Sequence, residues 1–368
     1  MGADNVVARV RRILCRRNLD AILISQPENR RYLSGYTALD HGIEESSGFL
    51  LIPAKGCPYL LTDSRFTLQA AEEAPQFIIR QYKKGLFDEL KPLAGELGIR
   101  SLAFESNYIL YASYKRLRIV AKEAGIRLRA TSGFVEGLRE VKDERELDLI
   151  RQSSRLNEKV FQQVYQGIRI GQTEREIALT IESTMRQMGA ERPSFDTIVA
   201  FGTNAAKPHA VPSDRTLKAG ETVLVDMGLV YKGYCSDLSR TFVLGQPDEL
   251  YLKRHQLVRQ AQLAGIARIR AGATGKEVDA AARQVLADGG YAEAFGHGLG
   301  HGVGLAVHES PRLSPLGEKK LRPGMVVTVE PGLYLADWGG IRLENMVVVQ
   351  KNGSEVLNTD ATFLDIAK

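Results

Sequence analysis

The stretch Leu217-Lys-Ala-Gly-Glu-Thr-Val-Leu-Val-Asp-Met-Gly-Leu229 has a counterpart further along the chain, Leu321-Arg-Pro-Gly-Met-Val-Val-Thr-Val-Glu-Pro-Gly-Leu333. In each copy a glycine turn leads into an apolar β run. Each run ends in one carboxylate two residues before a glycine, Asp226 in the first and Glu330 in the second. An earlier pair of blocks keeps nearly the same spacing: Ile168-Arg-Ile-Gly-Gln-Thr-Glu-Arg-Glu176 and Ile269-Arg-Ala-Gly-Ala-Thr-Gly-Lys-Glu277. Each of these carries a capping box, Thr173 with Glu176 and Thr274 with Glu277, and each predicted helix stops at a glycine, Gly189 or Gly290. A repeat unit of about a hundred residues is too long for a solenoid. Two helix-plus-strands halves facing each other across a pseudo-twofold axis are the natural reading, an α+β domain with an internal repeat.

Outward from the repeat, a helical stretch over roughly 143–166 leads into it, with apolar residues at Leu147, Ile150, Leu156, Val160 and Val164. Thr131-Ser132-Gly133 opens a junction, which divides the chain into 1–131 and 132–368. The first part alternates predicted strands (Ala21–Ser25, Phe49–Ile52, Phe77–Gln81, Leu102–Phe104) with predicted helices near 63–73, 87–97 and 111–123, and reads as an α/β domain. Arg9, Arg11, Arg12, Arg16 and Arg17 are interleaved with Val6, Val10, Ile13 and Leu14 at helical spacing, the pattern of a docked amphipathic helix with a basic outer face. A net charge of +5, spread along the chain, gives no nucleic-acid footprint. Cys15, Cys57 and Cys235 are odd in number and far apart, so they form neither a disulfide framework nor a zinc pattern, and a reducing cytoplasm is expected. No apolar run is long enough to span a membrane, and Met1-Gly2 is followed by Val6 where a myristoylation signal wants Ser or Thr.

The repeat singles out the carboxylates that matter. Asp226 aligns with Glu330, and Asp237 with Glu344 once three residues are inserted. Pseudo-symmetry brings all four to one centre, where they repel one another unless positive charge sits among them. Two divalent cations balance four carboxylates. Three of the six histidines fall within His297-Gly-Leu-Gly-His301-Gly-Val-Gly-Leu-Ala-Val-His308. His308 has a repeat partner in His209 and suits substrate handling; His301 has none and suits ligation. The expected ligands are therefore Asp226, Asp237, His301, Glu330 and Glu344. An oxygen-rich shell with one histidine favours Mn²⁺, Co²⁺ or Fe²⁺ over a tetrahedral structural zinc. A pair of such ions polarises a peptide carbonyl and activates water, which means hydrolysis. The GxGxxG-like run Gly298–Gly304 does not open a leading βαβ unit and does not read as a dinucleotide loop. Cys235 reads as a space-filling strand residue.

At these residues the chain resembles the pita-bread metallopeptidases of family M24, which comprise methionine aminopeptidases, prolidases, aminopeptidase P and creatinases. The resemblance covers the whole chain. Residues 1–131 resemble the creatinase/prolidase N-terminal domain and 132–368 the pita-bread catalytic domain. Asn29-Arg-Arg-Tyr-Leu-Ser-Gly-Tyr36, Thr62-Asp-Ser-Arg-Phe66, Pro208-His209-Ala210, Val307-His308-Glu309, Thr328-Val-Glu-Pro-Gly332 and Gly340-Ile-Arg-Leu-Glu344 carry it. The resemblance implies that Asp226 binds one metal, that His301 and Glu330 bind the other, and that Asp237 and Glu344 bridge them. It implies that His209 and His308 assist at the scissile bond, that Glu330 also shuttles the proton, that His297 lines the proline pocket, and that Arg342 orients carboxylates or meets a substrate carboxylate.

The expected activity is hydrolysis of an Xaa-Pro bond at the N-terminus of peptides, as in aminopeptidase P. Prolidase, acting on dipeptides, is the alternative; a creatinase-like hydrolase and a non-catalytic binding module on this fold come behind it. The expected cofactor is two divalent ions per subunit, Mn²⁺ first, with Co²⁺, Fe²⁺ or Zn²⁺ also compatible. A homodimer acting on small proline-containing peptides is expected, with the loop Tyr32–His41 as the edge that borders the partner's cleft.

Overall fold

The computed structural model describes residues 3–366; Met1-Gly2, where a lipid-attachment signal was sought, lies outside them. The chain forms two compact units, Met1–Arg139 and Glu140–Lys368. The break falls beyond Thr131-Ser132-Gly133 because Phe134 and Val135 still pack into the core of the first unit.

The first unit is a six-stranded sheet in the order Ile78–Gln81, Tyr59–Thr62, Phe49–Pro53, Ala21–Ile24, Ser101–Glu105, Arg127–Thr131. All strands run parallel except Phe49–Pro53. Helices Ala3–Arg16 and Pro27–Ser34 cover one face and Leu86–Glu96 and Tyr111–Glu123 the other, so the central strands are apolar on both sides. Helix Ala3–Arg16 buries Val6, Val7, Val10 and Leu14 and turns Arg12 and Arg16 outward, as its spacing predicts. Two strands escape the pattern reading. Arg127–Thr131 is a largely exposed edge strand, and Tyr59–Thr62 is too short to show alternation. Tyr32–His41 is not a loop throughout: Tyr32–Ser34 complete helix Pro27–Ser34, which ends at Gly35 with φ of 83°. The true loop beyond is fixed by Arg30, whose fully buried guanidinium bonds Asp40, Ser46, Ser47 and the Gly48 carbonyl.

The second unit opens on helix Glu144–Gly167. Its N-cap Asp143 forms a capping box with Glu146, and Leu147, Ile150, Val160 and Val164 are buried as expected. The repeat is then visible element by element. Helices Glu174–Gln187 and Gly275–Asp288 both start on threonine capping boxes and are followed by left-handed glycines, Gly189 and Gly290. Thr173 bridges to Thr216 as Thr274 bridges to Lys320. Strand Thr222–Met227 pairs antiparallel with Leu238–Val243, and Val326–Val329 pairs antiparallel with Asn345–Gln350. These strands are buried almost throughout, packed against the helices of their own halves.

Candidate active site

Each pair of strands delivers its two carboxylates to one end. Asp226 lies near the end of Thr222–Met227 and pairs in register with Ser239, while Asp237 directly precedes Leu238–Val243. In the second half Glu330 directly follows Val326–Val329 and Glu344 directly precedes Asn345–Gln350. His301 comes from the short strand Gly300–Gly302, threaded between Glu309–Leu313 and Val326–Val329. Only glycine fits on either side of it: a Cβ on Gly300 would collide with the Thr328 carbonyl, and one on Gly302 with the Ser310 carbonyl.

All nine residues singled out from the sequence line one cleft of about 1010 Å³: His209, Asp226, Asp237, His297, His301, His308, Glu330, Arg342 and Glu344. Asp237, His301 and Glu344 each present a ligand atom within 4.8 Å of the others. His301 Nε2 lies 3.3 Å from Glu330 Oε1 and 3.6 Å from Asp237 Oδ2. Its Nδ1 faces the Gly302 carbonyl at 3.1 Å. A carbonyl can only accept, so Nδ1 carries a hydrogen, and Nε2 is the nitrogen left facing the carboxylates, where a metal ion would take the place of its proton. The His308 ring stands edge-on to His301, with centroids 4.2 Å apart.

The electrostatics are those of a cation site. Burial, and then the neighbouring carboxylates, push Asp237 and Glu344 well above the usual carboxyl range. Burial also raises Asp226, against the opposing charge of Arg342. Burial works to raise Glu330 too, but its hydrogen bond with His301 outweighs that and leaves it low. Asp226 Oδ1 and Glu344 Oε1 are buried and have no hydrogen-bond partner among the described residues. Buried carboxylate oxygens left bare, four acids in one centre and an imidazole aimed at them together fit divalent metal ions.

Neighbouring side chains hold these carboxylates and the cleft wall in place. Arg342 donates Nη2 to Asp226 Oδ2 at 2.5 Å, Nε to Ser239 Oγ at 2.9 Å and Nη1 to Tyr334 at 2.8 Å. Ser239 Oγ in turn donates to Glu344 Oε2 at 2.9 Å. His297 accepts from the Tyr334 hydroxyl at 2.8 Å through Nε2 and donates Nδ1–H to the Gly298 carbonyl. Burial raises the Tyr334 phenol to about 12, so it stays neutral and can donate. All three nitrogens of the Arg342 guanidinium are thus engaged within the protein, one of them by a carboxylate.

The sequence reading passed over Tyr334, Ser239 and Arg312. Arg312 lies on strand Glu309–Leu313, directly opposite His301 in register. It lines the cleft, is exposed, and makes no ion pair among the described residues. The alternation Glu309-Ser-Pro-Arg-Leu313 past His308 was the available signal. Glu309 also lines the cleft, but Lys142 engages its carboxylate at 2.5 Å. Cys235 packs with Val230, Val303 and Met346, away from any ligand role.

Residues 148–351 match the model of metallopeptidase family M24, and residues 7–141 match the creatinase/prolidase N-terminal domain. The chain belongs to metallopeptidase family M24: a creatinase-type N-terminal domain followed by a pita-bread catalytic domain. It is 35% identical over 353 residues to a protein of Pyrococcus horikoshii named Xaa-Pro dipeptidase, covering 95% of this chain and 96% of that one. Among solved structures it is similar to an Xaa-Pro dipeptidase from Bacillus anthracis, with a TM-score of 0.90, 37% identity and 98% of each chain covered. It is likewise similar to an X-Pro aminopeptidase from Thermotoga maritima, with a TM-score of 0.86, 37% identity, and 96% and 98% of the two chains covered.

Proposed function

We propose that this chain hydrolyses Xaa-Pro dipeptides. The observation that carries the reading is Arg312, which stands opposite His301 with no anionic partner among the described residues. A dipeptide ends in a carboxylate directly after proline, whereas a longer peptide has a neutral amide there. A cation without a partner at the cleft wall is matched by the first and left unmatched by the second. The relatives named Xaa-Pro dipeptidase, among them those of Pyrococcus horikoshii and Pyrococcus furiosus, support the dipeptidase over the aminopeptidase to which the sequence alone leans.

Asp226, Asp237, His301, Glu330 and Glu344 would hold two divalent ions, with Mn²⁺ the proposed species. When bound, such ions supply Lewis-acid polarisation of the carbonyl and an activated water. The rest falls to side chains. An Xaa-Pro bond is a tertiary amide without an N–H, so nothing can be gained by accepting from it. His209 and His308 are proposed to hold the peptide at the scissile carbonyl and to assist proton delivery to the proline nitrogen. Glu330 would carry the proton, and His297, steadied by Tyr334, would form the wall against the proline ring.

The test is the ratio of kcat/KM for Xaa-Pro to that for Xaa-Pro-Yaa and Xaa-Pro-amide. The free dipeptide is expected to lead by on the order of 10²-fold, and Arg312→Met to erase that lead mainly through KM. A tripeptide cleaved faster than the dipeptide by the unaltered enzyme would return the reading to an aminopeptidase.

A homodimer in a reducing cytoplasm is part of the same proposal. Exposed Leu39 and Ile43 sit on the loop that Arg30 fixes, which offers a second copy a preformed apolar surface. Light scattering that found a fully active monomer at assay concentration would rule the dimer out.

A further inference from the structure

The N-terminal unit contains a cavity of its own, of about 320 Å³, which the chemistry above leaves unused. It opens at the carboxyl ends of the parallel strands. Ser25 follows Ala21–Ile24, Asp63 follows Tyr59–Thr62, Tyr82 follows Ile78–Gln81, and Glu105 closes Ser101–Glu105; all four line it. In an open α/β sheet this is the end at which small ligands bind. The walls are aromatic: Phe49, Tyr82, Phe87, Phe104 and Tyr108.

The charges around it divide into committed and uncommitted groups. Asp63 and Glu45 are both engaged by Arg65, at 2.9 and 2.6 Å. Glu105 accepts from the backbone N–H of Ser25 and of Gln26 and from the Asn29 amide. Glu44, Lys84 and Arg116 line the cavity, are exposed, and make no ion pair among the described residues. The Arg116 guanidinium lies 5.3 Å from the centroid of the Phe87 ring, so one of these cations borders an aromatic wall. One uncommitted acid and two uncommitted bases around an aromatic interior complement a zwitterion with an apolar side chain. The volume suits a single residue rather than an extended peptide.

We propose that the N-terminal unit binds a free apolar α-amino acid in this cavity. The carboxylate pairs with Arg116 and Lys84, the ammonium with Glu44, and the side chain stacks among Phe49, Phe87 and Phe104. The site is independent of the dipeptidase reading, since none of its residues belongs to the catalytic unit.

The experiment is ¹⁹F NMR line broadening of 4-fluoro-L-phenylalanine by the full chain, with binding expected in the millimolar range for a ligand of this size. Two variants report on the site. Lys84→Ala/Arg116→Ala removes the carboxylate partners, and Ser113→Trp fills the cavity from the first turn of helix Tyr111–Glu123 without removing a charge. Each is expected to weaken binding by at least about tenfold and to leave Xaa-Pro hydrolysis unchanged. The des-amino and des-carboxy analogues are expected to bind at least about tenfold more weakly than the amino acid. Broadening that survives in both variants would place the ligand elsewhere and overturn the proposal, as would no broadening by the unaltered chain.

Discussion

Arg342 and Asp226 belong to opposite halves of the repeat, and the 2.5 Å bond from Nη2 of the arginine to Oδ2 of the aspartate joins those halves at the end where the four carboxylates meet. Both side chains are nearly buried. The same guanidinium reaches Glu344 through Ser239, so one side chain orients a carboxylate from each half. Arg342→Met should therefore misplace both ligands, and Arg342→Lys, which keeps the charge but loses the planar fork, should rescue little. Both variants are expected to lose metal affinity and kcat/KM by on the order of 10–100-fold, the usual effect of removing an outer-shell partner. Elemental analysis with steady-state kinetics checks this; full metal content and activity in Arg342→Met would show the bond to be incidental.

Three of the four histidines that line the cleft should separate by readout. His301 turns Nε2 to Glu330 and Asp237 and should be needed for metal, so His301→Ala should lose it. His209 and His308 line the cleft, are exposed, and should keep the metals when truncated. Their loss should lower turnover on the order of 10²–10⁴-fold, the range for a general acid/base. Metal loss from His209→Ala with retention in His301→Ala would reverse the assignment.

Removal of metal should abolish activity and lower stability together. Asp226, Asp237, Glu330 and Glu344 repel one another in a buried centre, and ions that bind only the folded state stabilise it by mass action. Chelator-treated protein is expected to be inactive with a lower Tm, and Mn²⁺ or Co²⁺ to restore both. Undiminished hydrolysis by metal-free protein would revive a creatinase-like mechanism.

The pH dependence of stability should carry a contribution from His255. Its ring is buried beside Tyr251 and bonds the Phe363 carbonyl through Nε2 at 3.1 Å. Burial lowers it to about 4, against an ordinary value near 6.5. Between those values the unfolded chain binds the proton and the folded chain does not. Stability is therefore unaffected above about pH 6.5 and falls as pH drops toward 4, by a total on the order of 3 kcal/mol. His255→Gln keeps a donor for Phe363 without titrating. Urea midpoints at pH 7 and pH 5 should converge in the variant relative to the unaltered chain; an identical pH slope in both would remove His255 from the account.

The internal repeat, the five metal-ligand candidates and the two histidines beside them were legible in the sequence. Carboxylates at matched positions of two β runs leave a one-dimensional trace, and the threonine capping boxes mark both helix starts locally. The extent of the first unit was not legible to the residue, because Phe134 and Val135 join its core through contacts distant in sequence. Arg127–Thr131 left no trace because an exposed edge strand needs no alternation. Tyr334, Ser239 and Arg312 were settled only by the tertiary structure. Their roles depend on which strands lie side by side, with Ser239 facing Asp226 and Arg312 facing His301, and registry between strands is fixed by packing that no local pattern encodes. The proposed choice of a dipeptide over a longer substrate rests on that same registry: an arginine in a strand is unremarkable until the fold sets it across from His301 with no anion to pair with among the described residues.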